Sequence, residues 1–351
     1  MPTFSTAELP KSYRAIQIIK HGENSKALTM CEIPLDPLLP ATTGGGNQIL
    51  VKMEWAALNF IDTYQRSGLY APPGGSLPFT LGVEGAGTVV AAGPNSDFKI
   101  GQRVAAYDTG LLAEYYKPSP TARILPIPAG VTTKQAAASL VQGMTALSLI
   151  NEAHPVKSGQ WAIVHAAAGG TGLLLIQMLK DRGANVVATC STESKADLVR
   201  KHGIEHVFVY GTKPLDDIVP DIKELTPGGE GFDVVFDGVG KSFVEANFSL
   251  LRRKGSFVTY GNASGAVPPI APLRLSEKNI KLARPRLNNY IVTQEELDDY
   301  ASQLWDLIET QRLSLRLHNE DGYEFSEQSV RDAQTELESR GTTGKLIVKI
   351  A

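Results

Sequence analysis

Between an apolar run at 161–164 and an apolar helical pattern opening at Leu173 stands a turn with almost no side chains. It reads Ala166-Ala167-Ala168-Gly169-Gly170-Thr171-Gly172. Backbone N–H groups at such a turn can approach a phosphate closely, and the positive end of the following helix favours its charge. The stretch departs from the usual G-x-G-x-x-G/A pattern of dinucleotide sites, so in isolation a plain tight turn explains it equally well. About 20 residues further on, where a carboxylate would grip ribose hydroxyls, the chain has Cys190-Ser191-Thr192 with Lys195 just beyond. Glu193 falls where the next helix starts and reads as a first-turn residue. Hydroxyls and an ammonium suit a 2′-phosphate that a carboxylate would repel, so NADP(H) is preferred to NAD(H). The alternative for Lys195 is a solvated helix lysine.

The elements around the turn make it more specific. Strand patterns at 161–166, 185–189, 206–210, 232–236, 256–260 and 280–283 alternate with helical patterns at 173–182, 193–201, 215–225 and 242–252. Repeated strand–helix units imply an α/β fold with a doubly wound parallel sheet, and in that setting the turn is expected to bind a dinucleotide. Ligands of such sheets sit at strand C-terminal ends, which independently singles out Gly238–Gly240 and the cluster at Gly261. Upstream, residues 1 to about 140 read as all-β. Short runs at 15–19, 49–53, 82–92 and 100–107 are separated by Pro34, Pro37, Pro40 and the Gly44-Gly45-Gly46 turn, and strand glycines suggest a curved sheet. A helical pattern at 133–150 follows, with Thr132 or Thr133 as N-cap. Past residue 290 come an amphipathic helix at 294–310 and a last β-like run at 345–350. This tail is too small to fold alone and is expected to pack on the first domain, which makes the α/β domain an insertion.

Composition narrows the class. The 351 residues are 42% hydrophobic and 20% charged with a net charge of −3, which argues against general affinity for nucleic acid or anionic membrane. Two cysteines, Cys31 and Cys190, build no disulfide framework and point to a reducing compartment. The first residues fit neither a secretory nor a transit peptide, and no stretch reaches the roughly 20 apolar residues of a membrane span. A cytoplasmic protein is expected.

Five motifs then carry a family resemblance: LNFIDTYQRSGLY (58–70), LGVEGAGTVVAAG (81–93), HAAAGGTG (165–172), YGNASGAV (260–267) and RGTTGKLIVKI (340–350). In this order, over 13–351, the chain resembles the zinc-free quinone oxidoreductase (zeta-crystallin-like) branch of the medium-chain dehydrogenase/reductase superfamily. The resemblance implies a GroES-like β-rich catalytic domain at 1–140 and 285–351 and a Rossmann NADPH-binding domain at 141–284. Zinc relatives carry a Cys where this chain has Asn59 and a His where it has Val83. His202 and His206, astride Gly203, read as ordinary loop residues, so no metal site is expected.

By the same resemblance Asn59, Asp62 and Tyr64 lie near the nicotinamide, with Tyr64 a hydrogen-bond partner for a quinone oxygen; Asp62 can equally serve only to orient its loop. Gln142 and Thr145 stand beside the nicotinamide or its ribose, although relatives often have Lys at the first position. Ala168, Gly169, Gly170 and Thr171 cover the pyrophosphate, and Ser191, Thr192, Lys195 and Tyr210 surround the 2′-phosphate. Gly238, Val239 and Gly240 flank the adenine ribose side, and Tyr260, Gly261 and Asn262 the nicotinamide side. Arg284 and Lys345 are assigned to phosphate or carboxamide. Without a Lewis acid the reaction must suit an unaided hydride donor, as reduction of strongly electrophilic quinones does. The implied activity is NADPH-dependent quinone reduction by a homodimer, paired through an edge strand expected at 256–260.

Two other readings compete. An NADPH-dependent alkenal or enone double-bond reductase would share the cofactor and differ in the cleft, which the loop at 68–79 is expected to shape. An AU-rich RNA-binding role has only Arg252-Arg253-Lys254 in its favour, and cations closing a helix explain that triplet.

Overall fold

The computed structural model describes residues 9–35, 49–71, 75–211 and 213–351. Pro37, Pro40, the triple-glycine turn at 44–46 and part of the loop at 68–79 lie outside these residues. The chain forms two compact units, 1–141 with 317–351, and 142–316.

The first unit is β-rich. Its larger sheet runs in the order Tyr323–Glu324, Leu346–Lys349, Ile49–Leu58, Glu84–Ala92, Arg103–Tyr107 and Arg123–Pro126, with Tyr115–Tyr116 pairing onto Ile49–Leu58. A three-stranded sheet places Ser12–Ile18 between Leu28–Pro34 and Phe79–Thr80. The long strand Ile49–Leu58 shifts register twice against Glu84–Ala92. Opposite these shifts a Cβ on Gly87 would come within 2.1 Å of the Lys52 carbonyl, so glycine is what lets the two backbones meet. Val51, Met53, Val89, Val104, Leu346 and Val348 fill the core that closes on this sheet. The last strand pairs Leu346 with Leu58 and so brings Lys345 back to the end of the strand that Asn59 follows.

Immediately after that strand, where the sequence suggests a loop around Asp62, comes a helix, Phe60–Ser67, closed by Gly68 at φ 84. Its start carries a signal: Asn59 followed three residues later by an acid is an N-cap pattern. The backbone N–H of Asn59 donates to Asp62 Oδ2 at 2.7 Å. A second helix, Glu327–Glu338, is capped by Ser326.

The second unit holds six parallel strands in the order His206–Val209, Asn185–Cys190, Trp161–Val164, Phe232–Asp237, Leu251–Thr259 and Lys281–Ala283. Helices Gly170–Asp181, Glu193–Lys201, Val219–Glu224 and Val244–Leu250 connect them. Strand Phe232–Asp237 is buried throughout, as covering on both faces requires. Phe232, Phe236 and Phe257 are fully buried, each contributing about 1.5–3 kcal/mol. Thr132 is the N-cap of Thr133–Ser148, its hydroxyl accepting the Gln135 N–H at 3.1 Å.

Four expectations change. The units part at 316/317 rather than 284/285. The helix Gln294–Glu309 belongs to the second unit: a Cβ on Gly143 would strike Leu304, Tyr300 bonds Glu152, and Gln177 exchanges hydrogen bonds with Ser314 at 2.8 and 3.1 Å. Periodicity gave its apolar face but not what that face packs against. The helix expected at 242–252 ends at Leu250, and Arg252, Arg253 and Lys254 open the strand Leu251–Thr259. Arg252 pairs with Asp233, so the triplet does not close a helix. The edge strand is Lys281–Ala283, while the run at 256–260 lies inside the sheet.

Candidate active site

In the second unit the strand Trp161–Val164 leads to Ala166, which adopts φ 52. This left-handed step turns the chain into the helix Gly170–Asp181, whose N-cap, Gly169, is extended and brings no side chain to the first helical amides. Those amides remain available to an anion. Two of the glycines have a steric reason. A Cβ on Gly172 would lie 2.6 Å from the Ala166 carbonyl, and one on Gly170 would overlap the Gln142 amide at 2.1 Å. Gln142 Oε1 is buried without a hydrogen-bond partner, an orphaned acceptor beside the turn. Thr145 lies one helical turn beyond Gln142.

At the next strand end, Thr192 Oγ1 caps Glu193–Lys201 by accepting the Lys195 N–H at 3.4 Å. Glu193 is held by Arg200 at 2.5 Å, and Ser191, Thr192 and the half-buried Lys195 stand at the same end. Burial lowers the Lys195 pKa. Tyr210 joins them, its N–H donating to the Cys190 carbonyl at 3.1 Å. No carboxylate stands free there to repel a 2′-phosphate.

At the other strand ends two turns interlock. A Cβ on Gly261 would lie 2.3 Å from the Gly238 carbonyl, and the Tyr260 ring sits where a Gly238 Cβ would project. Ser264 N–H donates to the Val239 carbonyl at 2.7 Å, and Gly240 adopts φ 89. Asn262 closes the second turn, its carbonyl accepting the Gly265 N–H at 2.9 Å. Arg284 braces it through the Gly261 carbonyl at 3.1 Å and Thr259 Oγ1 at 3.3 Å.

The first unit holds a different kind of site. Lys345 and Glu84 form a buried ion pair at 2.5 Å, with side chains 3% and 0% exposed. Between them they fix the amide of Asn59: Lys345 Nζ donates to Asn59 Oδ1 at 2.7 Å, and Asn59 Nδ2 donates to Glu84 Oε1 at 2.8 Å. Glu84 Oε2 accepts the Val141 N–H at 2.8 Å. Asp62, fully buried, completes the group. Burial pushes its pKa up to about 7, with the Glu84 charge adding to the rise while the Asn59 N–H, the Lys345 ammonium and the Gly82 N–H oppose it. Its Oδ1 has no hydrogen-bond partner. Tyr64, two residues on, stacks edge-on with Tyr70 at 5.3 Å.

Asn59, Asp62 and Lys345 therefore share one cluster. Lys345, expected to reach a phosphate or carboxamide, is instead enclosed and engaged by Glu84 and Asn59. The sequence reading missed Glu84, and the buried acid inside an otherwise apolar LGVEGAG run was the available signal. It also missed the buried polar residues Asp237, His165 and Asn247. Among the described residues no three His, Cys, Asp or Glu side chains group as a metal site. No helix there is long and apolar enough to cross a membrane. A cavity of about 400 Å³ lined by Trp161, Gly231, Asp233 and Arg252 opens at the opposite, N-terminal ends of the strands, away from these turns.

Two nucleotide-type turns on a parallel sheet, together with a separate β-rich unit carrying buried acid and base groups, define a two-domain dehydrogenase. Residues 45–129 match the alcohol dehydrogenase GroES-like domain, and 170–309 match the zinc-binding dehydrogenase family. A Schizosaccharomyces pombe protein named as a probable quinone oxidoreductase is 38% identical over 337 residues, covering 95% of this chain and 96% of its own. The solved Escherichia coli quinone oxidoreductase complexed with NADPH aligns at TM-score 0.84 and 32% identity over 96% of this chain and all of its own. The 2-haloacrylate reductase of a Burkholderia species is 31% identical over 87% of this chain and 91% of its own length. The chain belongs to the quinone oxidoreductase branch of the medium-chain dehydrogenase/reductase superfamily.

Proposed function

We propose that the protein is an NADPH-dependent quinone reductase. The observation that carries the cofactor is the pair of nucleotide features in one unit: an uncapped helix N-terminus behind Ala168, Gly169, Gly170 and Thr171, and a strand end where Glu193 is neutralised by Arg200 beside the hydroxyls of Ser191 and Thr192 and the ammonium of Lys195. The orphaned Gln142 Oε1 beside Gly170 fits a group that brings its own donor, as a nicotinamide nucleotide does. Gln142, Thr145, Tyr210, Gly238–Gly240, Tyr260–Asn262 and Arg284 complete the binding set. The reduced nicotinamide, when bound, supplies a hydride.

Reduction of a quinone to its hydroquinone takes up one hydride, which leaves one negative charge on oxygen, and one proton, which neutralises it. Asp62 is suited to hold that proton, since its buried carboxyl stays protonated up to about neutral pH. Asn59, its amide immobilised from both ends by Lys345 and Glu84, is a fixed polar group that loses little entropy on meeting a substrate. Tyr64 supplies a phenol for a quinone oxygen. A homodimer, built on the open edge strand Lys281–Ala283 with its exposed Leu282, and a cytoplasmic setting, consistent with the unpaired Cys31 and Cys190, belong to the same proposal.

A second reading, reduction of an activated carbon–carbon double bond, is supported by the similarity to the 2-haloacrylate reductase. NADPH and NADH oxidation measured against 1,2- and 1,4-quinones and α,β-unsaturated aldehydes separates the two. Turnover confined to the quinones with NADPH is expected, and turnover confined to the enals would overturn the quinone assignment.

A further inference from the structure

Behind the two interlocked turns of the second unit runs a line of buried polar side chains that no cofactor contact accounts for. Thr189, His165, Asn247 and Asp237 are all buried, with Thr189, His165, Asn247 and Asp237 each at 0% exposure. Thr189 lies in the strand Asn185–Cys190, His165 directly follows Trp161–Val164, and Asp237 ends Phe232–Asp237, three strands adjacent in the sheet. Asn247 comes from the helix Val244–Leu250. The side chains touch in series. Thr189 Oγ1 and His165 Nδ1 are 2.8 Å apart, His165 Nε2 and Asn247 Oδ1 are 2.8 Å apart, and Asn247 Nδ2 donates to Asp237 Oδ2 at 3.0 Å.

The far end of the line is the cofactor turn. Asp237 Oδ1 accepts the Val239 N–H at 2.7 Å and the Gly240 N–H at 3.2 Å. Its own carbonyl accepts the Tyr260 N–H at 2.8 Å, which ties in the neighbouring turn.

Donor and acceptor chemistry gives the line one direction. An ionised carboxylate only accepts, so Asp237 requires the amide nitrogen of Asn247 to face it. Asn247 Oδ1 then faces the imidazole and requires a proton on His165 Nε2. His165 Nδ1 is left as a lone pair and requires the Thr189 hydroxyl to donate. Burial lowers the His165 pKa to about 4 and so keeps the ring neutral, as this order demands. Phe243 packs edge-on against the ring at 5.0 Å and holds its plane.

We propose that Thr189, His165, Asn247 and Asp237 form a one-way hydrogen-bonded strap across the strand ends that positions the Gly238–Gly240 turn for the dinucleotide. The inference rests on the cofactor reading above. His165, Asn247 and Asp237 are positioning residues, acting through the backbone of Val239 and Gly240. A strap of this kind sets the affinity for NADPH and leaves the chemical step alone, because none of its members touches a reacting atom.

The direction of the strap makes it testable. In Asp237→Asn the new side chain must keep its oxygen on the Val239 N–H and turn its nitrogen to Asn247. Asn247 must then turn its amide around, and the imidazole must move its proton to Nδ1. Nitrogen-15 spectra of histidine-labelled enzyme read this directly: the His165 tautomer is expected to change from Nε2–H to Nδ1–H in Asp237→Asn. It should return to Nε2–H in the double variant Asp237→Asn with Asn247→Asp. An unchanged tautomer in Asp237→Asn overturns the strap.

Fluorescence titration tests the positioning role. Asn247→Leu, which cuts the line, should weaken NADPH binding roughly tenfold with kcat at saturating NADPH changed by less than about twofold. Equal NADPH affinity in a folded Asn247→Leu protein refutes that role. Should Asn247→Leu not fold, the same comparison is made between wild type and Asp237→Asn, where a several-fold loss is expected and no loss refutes it. Failure of the wild type to bind NADPH would instead sink the cofactor reading and leave the tautomer result standing.

Discussion

Asp62→Asn probes the buried acid of the first unit most directly. The Asp62 carboxyl titrates at about 7 in place of an ordinary 3.8. At about 1.4 kcal/mol per tenfold change in proton affinity, ionising it in the folded protein costs about 4 kcal/mol. The sign follows from proton counting. Between pH about 4 and about 7 the native protein holds a proton that the unfolded chain has lost, so stability falls as pH rises across that window. Asparagine cannot ionise and removes this dependence. Its oxygen can still accept the Asn59 N–H, while its nitrogen replaces an Asp62 Oδ1 that has no partner, a fixed penalty of about 1–3 kcal/mol at every pH. Urea unfolding of both proteins at pH 5 and pH 9 isolates the changing part. The stability difference is expected to shift by about 3 kcal/mol in favour of the variant, because two of the three pH units of the window lie above pH 5. Quinone turnover by the variant should lose its dependence on a group titrating near neutrality. A stability difference that is the same at both pH values would refute the assignment of a buried, proton-holding Asp62.

Lys345→Met leaves Glu84 buried without its counter-charge, and a loss of about 3–5 kcal/mol in urea unfolding is expected; because the ammonium lowers the Asp62 pKa, the variant should also titrate at higher pH. Lys195→Ala should raise KM for NADPH roughly tenfold while changing KM for NADH by less than about twofold, since only the 2′-phosphate distinguishes them; steady-state kinetics with both cofactors read this, and equal effects would remove Lys195 from the site. Gly261→Ala puts a Cβ 2.3 Å from the Gly238 carbonyl, so the two turns must separate, and a loss of about 1–3 kcal/mol with weaker NADPH binding by fluorescence is expected.

Much of the molecule was legible because it depends on local chemistry. Strand–helix alternation after residue 161 announced a parallel sheet, since both its faces must be covered and the chain must cross over between strands. The turn at Ala166–Gly172 announced an anion site for the equally local reason that side chains are missing where a helix begins. The carboxylate-free strand end at Ser191 and Thr192 required only the identity of a few consecutive residues. Other features depend on partners distant in sequence. Lys345 and Glu84 are 261 positions apart, and nothing in either neighbourhood reveals that an antiparallel pairing with Leu58 brings them together. The helix Gln294–Glu309 displayed its apolar face without revealing which unit would cover it, and 256–260 looked like an edge until Lys281–Ala283 paired beside it. The strap from Thr189 to Asp237 is the clearest case. His165, Asn247 and Asp237 are ordinary residues in the sequence, and only burial compels each donor to find an acceptor and so fixes the direction of the whole line.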